Sequence, residues 1–275
     1  MESSEHGRIS PLIKWATISL GIACFVFIVL LPRSSMFKFA FSDGIGGFFR
    51  AITTEEAKNA LYNSLLMATL ATIINLIAGT LIAFALTRYR FPGASILKAL
   101  IDLPIAIPAS VVGLSLLMLY GPKGLLGPFL TENGIEVVMA LPGVLLAHVF
   151  ITFPFMVRSV SVVLEKFDRN LEDAATTLGA NKVQTFFRVL VPMIRGGLVA
   201  GSGLTFTRSL GEFGATLIVY GGIAQIRTGP VYMYYLTEAR FDYQAATSVA
   251  ILLMIVPFIL LLVLNFIVAR LEGKG

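Results

Sequence analysis

Six runs of apolar residues alternate with polar connections along this chain, at roughly 12–31, 61–87, 99–119, 139–164, 197–221 and 245–268. Each is long enough to cross about 30 Å of hydrocarbon at about 1.5 Å per helical residue. The pattern predicts an all-α integral membrane protein of about six transmembrane helices. The first run follows Arg8 and Lys14, as a signal peptide would. Its length, and an exit through Leu30-Leu31-Pro32-Arg33 with no small-residue cleavage pattern, predict a retained span instead. In the long connection 32–60, Thr53-x-x-Glu56 has the spacing of a capping box, so the second helix is expected to begin before Leu61. Asp43-Gly44 and Gly46-Gly47 are turn signals rather than a phosphate-binding loop. Pro104, Pro108, Pro142, Pro154 and Pro257 are expected to kink or break spans, mostly as simple shape. Gly197-x-x-x-Gly201, with Gly203, predicts close helix approach.

Composition agrees with lipid as the solvent. Hydrophobic residues make up 56% of the chain and charged ones 13%, with a mean hydropathy of +0.85. A soluble domain of this length needs far more charge to cover its surface. The single cysteine, Cys24, excludes a disulfide within the chain. A net charge of +5 could suggest nucleic acid, but the basic residues are distributed by side instead. With the N-terminus inside, twelve Lys and Arg fall in inner segments and seven in outer ones, and the remaining two, Arg158 and Arg208, lie within spans. This bias places both termini, and the polar connection between the fourth and fifth spans, in the cytoplasm.

That connection is the most informative segment. It reads Leu171-Glu172-Asp173-Ala174-Ala175-Thr176-Thr177-Leu178-Gly179-Ala180, then Asn181 to Leu190, then Val191-Pro192. Arg169 to Leu178 is expected to form a short helix, with Glu172 and Asp173 in its first turn, where acidic groups suit the helix dipole. Ala174 and Ala175 give that helix a thin face that fits a partner's groove. Gly179 permits a positive φ and a sharp turn. A second helix, Lys182 to about Val189, is expected to present Phe186 and Phe187 on one side, with Pro192 stopping it and opening the next span. The alternative is an ordinary amphipathic connection.

The whole spacing, from Asp173-Ala174-Ala175 through Gly179 and Val189 to Val191-Pro192, resembles the "EAA" loop of permease subunits from binding-protein-dependent ABC importers. Asp173, Val189 and Val191 stand where Glu, Ile and Leu are usual, and each keeps charge or apolarity. Three further pieces look like the sulfate, molybdate and tungstate permeases: Asp102-Leu103-Pro104-Ile105-Ala106-Ile107-Pro108 leading into Val111-Val112-Gly113; Phe153-Pro154-Phe155-Met156-Val157-Arg158; and Arg208-Ser209-Leu210-Gly211-Glu212-Phe213-Gly214-Ala215-Thr216. The resemblance covers roughly Leu61 to Leu271. It implies a permease core over 61–271, with a coupling helix-turn-helix at 165–196, preceded by a helix and external connection over 1–60. It implies a cargo that is a tetrahedral oxyanion. The implied partners are a cytoplasmic ABC ATPase dimer, a second permease subunit (identical or related), an external solute-binding protein and the lipid bilayer, with no nucleic acid. ATP and Mg would be bound by the ATPase. No cofactor or metal is expected in this chain, and no catalytic residue. The sequence contains no G-x-x-x-x-G-K-[ST], and only His6, His148 and Cys24 could serve as soft-metal ligands.

Arg208 and Glu212 are expected near mid-membrane, one helical turn apart on one face. An isolated charge there costs at least about 2.5 kcal/mol, so both must meet water, protein or each other. Together with Ser209 they are candidates for the translocation path or its gate. Helix-to-helix glue is the competing reading and stays open. Asn75, Thr152, Thr205 and Thr207 are expected to bond across helices or to their own backbone, and His148 to pack as a satisfied core residue. Other solutes within the same family, a secondary transporter or channel, and a non-transporting membrane anchor are the alternatives for function.

Overall fold

The computed structural model describes residues 11–272, and among them there is no β-strand. Arg8 and Lys274, both among the twelve inner basic residues, and the two termini lie outside the described residues. α1 (Pro11–Phe25) passes through a π turn (Val26–Leu30) into α2 (Leu31–Ala40), and together they make one apolar helix. α3 (Gly44–Thr53) leads to α4 (Glu55–Arg88). α5 (Ala94–Ala106), α6 (Ala109–Tyr120) and α7 (Gly127–Glu132) precede α8 (Leu141–Lys166). The following connection holds α9 (Asn170–Thr177), α10 (Lys182–Thr185), a second π turn (Phe186–Leu190) and α11 (Val191–Met193). α12 (Arg195–Leu210), α13 (Gly214–Val219), a 3₁₀ turn (Ala224–Ile226), α14 (Gly229–Glu238) and α15 (Tyr243–Glu272) complete the chain.

The centre is the mutual packing of α4, α8 and α12. In lipid, apolarity does not sort a helix's faces; side-chain size does, because small residues let backbones approach. The buried face of α4 shows this, with Ala57, Ala60, Ser64, Ala68, Ala71, Gly79 and Ala83 at helical spacing. The glycine stripe of α12 behaves the same way. Gly197 lies against Val163 and the Ser159 carbonyl, and Gly201 against Met156. Around these contacts, Met156, Val160, Leu164, Leu190 and Ile194 form a buried cluster at the end nearest the connection after α8.

Among the described residues four helices are long and apolar enough to cross a membrane, or up to six if each bent pair counts as one span. Two expected spans therefore change in kind. The third is α5 and α6, bent by 110° at Ile107-Pro108. The fifth is not a continuous 197–221 helix. It begins with a 70° bend between α11 and α12 and stops at Leu210, with α13 a separate short helix. α14, inside the expected outer connection, was not anticipated. Of the prolines, Pro108 caps the start of α6 and Pro142 lies in the first turn of α8, whereas Pro104, Pro154 and Pro257 sit inside helices that continue.

Two smaller corrections follow local chemistry. The N-cap of α4 is Thr54, whose hydroxyl accepts from Ala57 N at 3.2 Å, while Thr53 bonds back to the Phe49 carbonyl. The expected box partner, Glu56, instead holds Arg240 with both carboxylate oxygens, at 2.9 Å each. Pro192 does not stop the second loop helix. A proline in a helix lacks its N–H and clashes with the carbonyl four residues back. The π turn ending at Leu190 widens the ladder there, so the helix passes through Pro192 to Met193. The other π turn ends at Leu30, two residues before Pro32, in the same relation.

Candidate functional site

Two regions carry the candidate residues. The first is the connection after α8. Asp168 opens α9 by accepting from Asn170 N at 3.0 Å. Gly179 follows with φ +89°, a conformation that lets the chain reverse and that side chains other than glycine adopt only under strain. Asn181 then starts α10 with a reciprocal capping box, bonding Gln184 N at 2.8 Å while Gln184 Oε1 accepts from Asn181 N at 3.0 Å.

Glu172 turns inward. Its Oε1 lies 2.7 Å from Arg88 Nε, and the arginine side chain is only 8% exposed. Arg88 also donates to the Leu164 carbonyl, and Arg169 to the Thr87 carbonyl. The end of α4 thus fixes α9 to the bundle. Asp173 and Ala174 face outward, and Ala175 is half-buried. Phe186 and Phe187 do not share a side. Adjacent helical residues point about 100° apart, so Phe186 packs inward, edge-on to Phe84 at 5.6 Å, while Phe187 is 63% exposed. Phe187, Leu178 and Val183 are all exposed apolar side chains on a polar segment. Leu178, Val183 and Arg88 were not singled out in the sequence. The first two had a signal, since they are apolar residues within the polar loop. Arg88 had none.

The second region lies where α12 ends. The helix stops at Leu210, with Gly211 as its C-cap, so Glu212 is beyond the helix rather than one turn along it. The expected pair nevertheless forms: Arg208 Nη1 donates to Glu212 Oε2 at 2.8 Å. Glu212 is buried, and its other oxygen accepts from Ala215 N at 2.9 Å, so one carboxylate holds both sides of the break. Arg208 remains 36% exposed. Ser209 points away from that open side, fully buried, with its hydroxyl 2.7 Å from His148 Nδ1. Within this subunit it packs in the core rather than beside the exposed face of Arg208.

His148 is satisfied, as expected of a core histidine, and its position is informative. Its Nε2 lies 3.1 Å from Thr216 Oγ1, so the ring spans from the last turn of α12 to α13. Asn75 extends the line, donating to Thr152 Oγ1 at 2.8 Å, and Thr152 donates to the His148 carbonyl. The two broken spans also meet. A Cβ on Gly113 would lie 2.6 Å from the Ala215 carbonyl oxygen, so α6 and α13 are in backbone contact, and Gly214 abuts Ala109 beside the other break. Among the described residues no group of three or more His, Cys, Asp or Glu is placed to hold a metal ion.

The family model of the binding-protein-dependent transport system inner membrane component matches residues 75–273. The chain belongs to this family. The permease is 39% identical over 256 residues to the sulfate transport system permease protein CysT of Salmonella typhimurium, covering 92% of each chain. It is 38% identical over 238 residues to the corresponding protein CysW of Synechococcus elongatus, covering 86% of this chain and 82% of that one. The fold resembles that of a chain in the crystal structure of a bacterial alginate ABC transporter, with a TM-score of 0.79 at 18% identity and 94% of each chain covered. It also resembles a chain of the MetNI methionine ABC transporter, with a TM-score of 0.59 at 19% identity, covering 77% of this chain and 94% of that one. The permease is a multi-pass membrane protein and a transport component of an ABC importer rather than an enzyme.

Proposed function

We propose that the permease carries a tetrahedral oxyanion of the sulfate class across the membrane, driven by ATP hydrolysed in partner subunits. Mid-membrane broken helices alone would suit a secondary transporter equally well; the family assignment favours the ABC reading. The observation that carries the cargo is Arg208. It is a half-exposed guanidinium at the end of a broken span, held by a carboxylate that is itself tied to the backbone. Planar guanidinium donors suit oxyanions, and the Glu212 charge keeps binding weak enough for release. Relatives described as sulfate permeases, matched over most of the chain, support the same choice.

The segment 165–196 is the docking surface for the ATPase, and the excess of Lys and Arg on that side places it in the cytoplasm. The exposed side chains of Leu178, Val183 and Phe187 form the apolar contact, and Gly179 sets its angle. ATP and Mg bind in the partner. Two permease subunits enclose the path, and a solute-binding protein delivers the anion outside. Co-expression with the ATPase and binding protein in cells lacking other sulfate uptake tests this directly. The reading expects ATP-dependent accumulation of labelled sulfate, with molybdate and tungstate as competitors. Uptake of an uncharged solute without oxyanion competition would refute the cargo assignment, and uptake independent of the ATPase would refute the coupling.

A further inference from the structure

A second arginine–carboxylate pair lies within the third and fourth apolar runs, toward the end nearest the connection after α8. Arg158 Nε donates to Asp102 Oδ1 at 2.7 Å, and the two side chains are 58% and 40% exposed in this subunit. Asp102 follows the start of α5 by eight residues, and Arg158 precedes the end of α8 by eight. Each is therefore about 12 Å from the helix end nearest the loop, at about 1.5 Å per residue. Charges so open within apolar spans do not face hydrocarbon; they face a bundle interior or a water-filled cavity.

The surroundings favour water. The pair borders a pocket of about 250 Å³ that also holds Lys98, Ser161 and Glu165. Lys98 is one turn from Asp102 toward the loop, and Glu165 two turns from Arg158 in the same direction. Charge thus continues down both helices to the loop side, as a wetted groove requires and a lipid-facing or apolar interface does not. Only Nε of Arg158 is engaged; among the described residues its two terminal nitrogens have no hydrogen-bond partner. Arg208 has the same design, with one nitrogen on a carboxylate and the rest of the guanidinium open.

We propose that Arg158 and Asp102 form a second anion station, in a water-filled vestibule opening toward the coupling loop, where the dianion from Arg208 pauses before release. The inference rests on the oxyanion reading above. Asp102 competes with the cargo for the guanidinium, so the station holds the anion briefly. Passage between two weak sites is easier than escape from one strong site.

The test uses the assembled complex in inside-out vesicles, with Ser161→Cys as the reporter in a Cys24→Ala background. Anionic and cationic methanethiosulfonate reagents are compared. Both are expected to react, with the anionic one favoured several-fold. Sulfate is expected to slow the anionic reagent several-fold, and sodium chloride of equal ionic strength to slow it less. Arg158→Gln should abolish the preference, and Asp102→Asn should increase both the preference and the protection by sulfate. Val162→Cys, on the same pocket, serves if the first reporter fails to assemble. Failure of either cysteine to react before denaturation would overturn the vestibule. A preference unchanged by Arg158→Gln, or protection no greater than that by chloride, would overturn the station. Sulfate uptake by the reporter-free complex is measured in parallel, so loss of the cargo assignment is seen separately from loss of the station.

Discussion

Arg208 and Glu212 face each other at 2.8 Å across the end of a helix, not along one. The same carboxylate caps α13 through Ala215 N. One side chain therefore sets the charge of the site and the geometry of the break. Glu212 is buried and tied to the backbone, whereas the Arg208 side chain is 36% exposed.

Glu212→Gln is expected to keep the bond to Ala215 N and lose the ion pair. Removing one member of a buried pair costs about 3–5 kcal/mol. Arg208 is partly solvated, so about 1–3 kcal/mol is expected, read as a lower melting temperature of the detergent-solubilised complex. Glu212→Ala should lower it further, because the backbone bond goes too.

His148→Ala is expected to orphan the hydroxyls of Ser209 and Thr216 and leave a void between α8 and the break. Each unsatisfied buried group costs about 1–3 kcal/mol. His148→Asn, which can still bond one hydroxyl, should recover part of the loss. Thermal melts of both variants check this; equal losses would show that shape, not hydrogen bonding, matters there.

Arg88→Ala is expected to release α9 from the end of α4 and leave Glu172 unpaired. ATP hydrolysis should then persist while uptake falls, measured together in proteoliposomes. The reversed pair Arg88→Glu with Glu172→Arg should restore part of the coupling if the ion pair is the tether.

Phe187→Asp and Leu178→Asp change exposed positions, so permease stability should shift by no more than about 0.5 kcal/mol. Co-purification of the ATPase should nevertheless be lost. Gly179→Ala should cost about 1 kcal/mol through its positive φ, with a smaller effect on assembly.

Much of this was legible in the sequence. Apolar run length marked the four long helices and the two bent pairs, and Asp173-Ala174-Ala175 with Gly179 marked the connection after α8. Four features were hidden, each for a physical reason. Pro108 signals the break between α5 and α6, but the break at Gly211–Phe213 falls inside the run 197–221 with no proline to mark it, and hydropathy carries no information about backbone direction. Pro192 looked like a stop because a proline's cost is local, and only the backbone reveals the π turn that absorbs it. Thr53 and Thr54 are chemically equivalent caps, so sequence could not choose between them. Arg88 and Glu172 are far apart in sequence and meet only because the end of α4 lies against the start of α9, and a single sequence gives no hint of that. His148 was read as a packed core residue and is one; that it clamps both sides of a break required coordinates.

The central claim is that a half-open mid-membrane arginine carries an oxyanion through a machine powered at the loop. ATP-driven flux of labelled sulfate through complexes bearing Arg208→Gln tests it most directly, with assembly checked by ATPase co-purification. The account predicts normal assembly, near-normal ATPase activity, and sulfate flux reduced at least about tenfold, the effect of about 1.4 kcal/mol on the transport barrier. Normal flux in an assembled Arg208→Gln complex would contradict it.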